Sequence, residues 1–174
     1  VSRYGVVPLS WTLDHCGPMT WDVRDTAIML QAIAGHDPKD PTTGRVPVPD
    51  YSEALVPDID GLKIGVPRHY FFSDDPNINS ETLAVVEDGL KAFESLGAHV
   101  EEVSVPSLTH NSAAHIVILL GEAFAYHQRN LRTIPEKFGD MVRARFTVGG
   151  LLASGDYVQA QRLRNVLKRE FAEV

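Results

Sequence analysis

The chain carries a single thiol, Cys16, directly preceded by an imidazole and a carboxylate in Asp14-His15-Cys16. A thiol whose proton is taken by an imidazole is a nucleophile suited to acyl transfer. Side chains of adjacent residues rarely aim at each other, however, and nucleophile–base sets are assembled from distant segments. The run continues into Gly17-Pro18, so the plainer reading is a turn with a small buried thiol. The seven histidines offer no metal site. None belongs to HExxH, no two are four residues apart, and His110 and His115 are five apart, off one helix face. Gly149-Gly150 lacks the GxGxxG and GxxxxGK patterns that cradle phosphates, and reads as a helix stop. Arg143, Arg145, Arg162, Arg164, Lys168 and Arg169 are interleaved with Glu170 and Glu173, as on a solvated helix face. Tyr70-Phe71-Phe72 follow a predicted strand, where ligands of α/β folds often sit, although an apolar plug under a loop is the simpler reading. There is no GxSxG elbow and no lysine in a glycine- and serine-rich context. The residues alone give no catalytic set, and no cofactor or metal is expected.

These groups must be positioned by a chain that alternates strand and helix signals. Val1 to Ser10 reads as an extended lead-in, with Pro8 at a strand end or edge. Thr20 is a candidate N-cap, Asp22 lies in the first turn, and Val23, Ala27, Leu30 and Ile33 recur at helical spacing until Gly35. Residues 36–60 hold five prolines and read as a long loop without regular structure. Leu62, Ile64 and Val66 alternate as a short strand. Asp75 and Pro76 could open a helix with Leu83, Val86, Leu90 and Phe93 inward, ending at Gly97. Ala98 to Val105 then reads as a second strand, so 61–105 predicts two parallel strands joined by a right-handed helical crossover. Residues 106–174 read as helical. Ile116, Leu119, Leu120, Ala123 and Phe124 mark one helix. Phe138, Met141, Val142 and Phe146 mark another. A last one, capped by Ser154, turns Ala160, Leu163, Leu167 and Phe171 inward and Arg162, Arg164 and Lys168 outward.

Composition narrows the partners. The 174 residues are 44% hydrophobic and 22% charged, ordinary for a globular chain. Sixteen basic against 23 acidic residues give a net charge of −7, which argues against nucleic acid. One cysteine allows no internal disulfide, in keeping with a reducing, cytoplasmic setting. The longest apolar stretch, near Ala113 to Leu120, is far below the roughly 20 residues a bilayer requires, so no membrane partner is expected. A homo-oligomer stays open.

Three runs resemble the amidase signature family. Ser2 to Thr43 has the family's Leu-Asp turn at Leu13-Asp14, then Gly17-Pro18-Met19, a helix ending in Ala34-Gly35, and an Asp37-Pro38-x-Asp40 loop. Gly61 to Phe72 and Ala153 to Phe171 resemble later landmarks. The resemblance implies an α/β fold, a mixed β-sheet flanked by helices, with all 174 residues inside one amidase domain. It implies hydrolysis of linear amides through an acyl-enzyme, with a small-molecule amide as substrate. It also implies a Ser–Ser–Lys triad and a Gly-Ser-rich oxyanion loop that match positions before Val1, so no catalytic residue is assigned here and the chain alone is expected to be inactive. On this reading the sequence is an internal segment, cut at both ends. The expected substrate-facing residues are Asp14, His15 and Cys16, then Phe146, Gly149, Gly150 and Leu151, whose glycines would let a ligand approach closely. Trp21 stands where the family often has arginine. The stretch Val148 to Asp156 is shorter than in the amidotransferases that act on tRNA-borne substrates, and Leu151 falls near an aromatic of theirs, which favours a general amidase. The amidase-like component of a tRNA-dependent amidotransferase, or a non-catalytic binding domain, is the alternative.

Overall fold

The computed structural model describes residues 1–56, 58–72 and 78–174. They form two compact units that interleave along the chain, Val1–Val56 with Leu119–Leu152, and Pro57–Ile118 with Ala153–Val174.

In the first unit, helix α1 spans Val23–Ile33. Its N-cap is Asp22, whose carboxylate accepts the Asp25 N–H at 2.9 Å. Thr20, the expected cap, instead donates its hydroxyl to the Asp22 carbonyl at 2.8 Å. Aspartate wins because it stands one residue before the first helical φ, so its carboxylate reaches the third N–H of the helix. The lead-in expected as a strand is coil and turn. Its N–H groups are taken by side chains: Arg3 donates to Asp40 at 2.8 Å, and Leu9 and Ser10 donate to Asp14 at 2.9 and 3.0 Å. The proline-rich loop holds one 3₁₀ turn at Tyr51–Ala54, capped by Asp50, where no regular structure was expected.

The first unit also contains the C-terminal part of α4 (Asn111–Thr133) and all of α5 (Asp140–Gly149). Phe138, expected within α5, precedes it. Buried Leu120, Ala123 and His127 line one side of α4. The His127 ring donates from Nε2 to the Pro8 carbonyl at 2.8 Å and stacks on Phe146, with ring centroids 5.1 Å apart. Glu122 of α4 gathers three donors: the Ser10 hydroxyl (2.7 Å), the Thr12 N–H (2.8 Å) and the Thr12 hydroxyl (2.8 Å). Buried polar groups keep their place only when so partnered.

The second unit is α/β. Strand β1 (Lys63–Val66) pairs in parallel with β2 (His99–Glu102), Lys63 opposite His99 and Val66 opposite Glu102. The described sheet is these two strands, and the second is shorter than the expected Ala98 to Val105. Between them come a single turn, α2 (Arg68–Phe71), and α3 (Ser80–Ser95). The expected cap pair Asp75-Pro76 lies outside the described residues. Asn79 caps α3, accepting from the Glu81 and Thr82 N–H groups. The chain leaves α3 through Gly97, whose φ of +94° suits only glycine and whose missing Cβ would stand 2.5 Å from Asp60 Oδ1.

A 3₁₀ segment, Pro106–His110, leads into the start of α4. Helix α6 (Ser154–Glu173) returns to pack on it. Its first residue, Ser154, follows the cap position, which is Ala153. Alanine has no acceptor to offer, and the cap is closed from the other side by Asp156, which accepts the Ala153 N–H at 3.2 Å. Val105, Leu108 and Leu167 make the buried cluster, with Tyr70 and Leu163 against it. Ala160 is buried as expected, Phe171 is exposed, and Arg164 is half-buried instead of outward. Glu170 accepts both the N–H and the hydroxyl of Ser107, at 2.9 and 2.7 Å, which ties α6 to the 3₁₀ segment.

Candidate functional site

A cleft of about 630 Å³ opens in the first unit. Asp14, His15 and Cys16 line it together with Arg3, Trp11 and Thr42, and residues 46–49 supply an apolar side. The turn bearing the first three closes on itself. Leu13 and Asp14 donate their N–H groups to the Ser10 carbonyl at 3.0 and 2.8 Å. The Asp14 carboxylate, engaged by the N–H groups of Leu9 and Ser10, is a structural acceptor. His15 Nδ1 lies 2.6 Å from the Leu13 carbonyl oxygen. A carbonyl only accepts, so Nδ1 carries the proton, and in the neutral tautomer Nε2 is the acceptor. Cys16 is a free, half-buried thiol. The three adjacent residues thus share one cleft wall without forming a nucleophile–base pair.

Asp40 stands behind this wall, only 4% exposed. It accepts the Thr42 hydroxyl at 2.6 Å, the Arg3 N–H at 2.8 Å and the Thr42 N–H at 3.0 Å. The Thr42 hydroxyl first, then the backbone donors of Arg3 and Thr42, hold its carboxyl down at about 2. Nearby Asp37 is lowered as well, chiefly by the Ser2 hydroxyl at 2.6 Å. Sequence reasoning missed Arg3, Asp40, Thr42 and Glu122. The only signal for Asp40 was the Asp-Pro-x-Asp run; nothing in a linear pattern ties Ser10 to a carboxylate 112 residues away.

The second set of expected site residues lies elsewhere. Phe146 is buried in the stack with His127, and Gly149 is buried against α4. A Cβ on Gly149 would stand 2.0 Å from the Leu120 carbonyl oxygen, and one on Gly150 would stand 2.6 Å from the Phe124 ring. The close approach these glycines permit in the structure is that of α4. Leu151 is 83% exposed and does not line the cleft. Tyr70, Phe71 and Phe72 line an apolar cavity of about 880 Å³ in the second unit, with Val66 of β1 and Leu83 and Leu90 of α3. Among the described residues, no group of three His, Cys, Asp or Glu side chains could hold a metal ion. Nor is any of their helices long and apolar enough to cross a membrane.

The sequence profile of the amidase family matches residues 1–174. The chain belongs to the amidase family. Among its relatives, an amidase of Pseudomonas putida is 43% identical over 171 residues, covering 98% of this chain and 36% of that protein. The A component of the glutamyl-tRNA(Gln) amidotransferase of Akkermansia muciniphila is 39% identical over 198 positions, covering 99% of this chain and 41% of that protein. A crystal structure of an amidase superposes with a TM-score of 0.78 at 27% identity, covering 99% of this chain and 35% of its own. The chain therefore spans between a third and a half of the length of the amidase-family proteins it matches. Its helix-rich α/β architecture with a small parallel sheet is that of amidase structures.

Proposed function

We propose that the protein containing this chain hydrolyses the carbon–nitrogen bond of linear amides through an acyl-enzyme, and that both compact units belong to one amidase domain. The observation that carries this reading is the match with the Pseudomonas putida amidase, which runs over 171 of 174 residues at 43% identity. In this reading the chain supplies one wall of the amide site, Asp14 to Cys16, and no triad residue. The cleft supports it: an apolar side at residues 46–49 suits an acyl group, and the free Nε2 of His15 suits an amide N–H. The partner is a small amide, and the reaction requires no cofactor.

A second reading, the amidase-like component of a tRNA-dependent amidotransferase, draws on the Akkermansia relative. That match extends over 198 positions and exceeds the 174 residues here by 24, so the relative carries at least that many residues with no counterpart in this chain. The amidase match needs no such allowance, and we favour it. Ammonia release from benzamide and from glutamine tests both. The full protein should release ammonia from benzamide, and the 174-residue chain alone should release none. Preference for glutamine would support the second reading. Turnover by the isolated chain that vanishes on mutating one of its own serines would sink the assignment of the triad to other residues.

A further inference from the structure

The cleft wall is fastened by one guanidinium. Arg3 donates from Nη1 to the carbonyls of Trp11 and of Asp14, the latter at 3.3 Å, and from Nη2 to the Thr42 hydroxyl at 2.9 Å. Its Nε stands 3.9 Å from Asp40 Oδ2, and its plane lies over the Trp11 ring, 5.3 Å from the centroid. The Arg3 side chain is 15% exposed and that of Asp40 is 5%. Asp40 and Thr42 are fixed in turn: the Thr43 N–H donates to the Asp40 carbonyl at 3.1 Å, and the Thr43 hydroxyl donates there at 2.8 Å. The guanidinium therefore joins two loops, 9–16 and 37–43, that share no backbone ladder. Its planar fork can serve several acceptors at fixed angles, which a lysine ammonium on a flexible stem cannot.

We propose that Arg3, held by Asp40 and Thr42, is a positioning residue that fixes the Asp14–Cys16 wall against the amide substrate. This rests on the reading that the cleft receives the amide. Arg3 acts through two backbone carbonyls on either side of Leu13, the residue whose own carbonyl sets the His15 ring. Loss of the fork frees the turn to swing, and with it His15 Nε2 and the Cys16 thiol.

The test uses the full-length protein with Arg3→Gln, Arg3→Lys and the milder Thr42→Val, which removes one Arg3 acceptor without touching the guanidinium. Two readouts are taken: kcat and KM for benzamide, and the rate at which iodoacetamide alkylates Cys16, read from the mass of its peptide. Removal of charge-assisted hydrogen bonds that orient a binding wall should raise KM about tenfold in both Arg3 variants, with kcat held within about threefold. Cys16 alkylation should quicken in the same variants, and Thr42→Val should move both readouts by less. Unchanged alkylation in a folded Arg3→Gln protein overturns the positioning role. So does a wild-type result for Arg3→Lys, because charge without the fork would then suffice. Faster alkylation with unchanged KM would uphold the positioning of the turn and overturn the placement of the amide there. Should the Arg3 variants fail to fold, an unmoved alkylation rate in Thr42→Val overturns the proposal on its own.

Discussion

Asp40 is the residue with the clearest linkage to pH. Its folded carboxyl sits at about 2, below the ordinary 3.8, because the Thr42 hydroxyl and two backbone N–H groups all favour the charged form. A lowered carboxyl stabilises the fold above its unfolded value and loses that contribution as pH falls. The Asp40 contribution is thus complete above 3.8 and fades as pH drops toward 2. Asp40→Asn should lower the melting temperature at pH 7 and flatten its fall between pH 4 and 2, read by circular dichroism. Asp37, Asp50 and Glu87 are lowered too, so the variant keeps part of the acid limb. Identical acid limbs in the two proteins would refute the linkage. Little of this was legible beforehand. Arg3 and Asp40 are 37 residues apart, and a buried ion pair leaves no period in a sequence.

Elements were legible where one rule decides. Apolar spacing placed α1, α3, α4 and α6, and Gly97 marked the end of α3. Alternation at Leu62, Ile64 and Val66 placed β1. Rules in competition failed: Thr20 and Asp22, both ahead of α1, are each of a capping type, and the backbone donors of the lead-in went to aspartates where a strand pattern had promised a ladder. The glycines after Phe146 show the same limit. They do allow close approach, but the sequence does not say to what. Packing of α5 on α4 leaves no room for a methyl group at Gly149, since the Leu120 carbonyl is rigid backbone. Gly149→Ala should cost about 1–3 kcal/mol, as overpacked cores do. Chemical denaturation would show it, and a midpoint equal to that of the parent would mean that α5 shifts freely.

At the scale of the whole molecule, large apolar side chains stand in water: Trp21 at 98%, Met19 at 96%, Leu151 at 83% and Met141 at 76% exposed. Exposed apolar surface favours association, and a net charge of −7 opposes it only at long range. The 174-residue chain on its own should scatter light with a mass above its 19.2 kDa and enhance ANS fluorescence. A monodisperse monomer silent to ANS would show that these side chains are covered. The cleft could not be read at this scale either, because residues 1–16 and 42–51 come together only in three dimensions.

The interleaving of the two units carries a consequence for synthesis. Ser10 waits for Glu122 and Pro8 for His127, so the first 56 residues leave the ribosome long before Leu119–Leu152 can complete their unit. At about 5–20 residues per second, the intervening stretch takes roughly 3 to 12 seconds to emerge. For that interval Pro8 and Ser10, buried in the finished unit, stay uncovered, and the nascent N-terminal segment is open to a holdase near the exit tunnel.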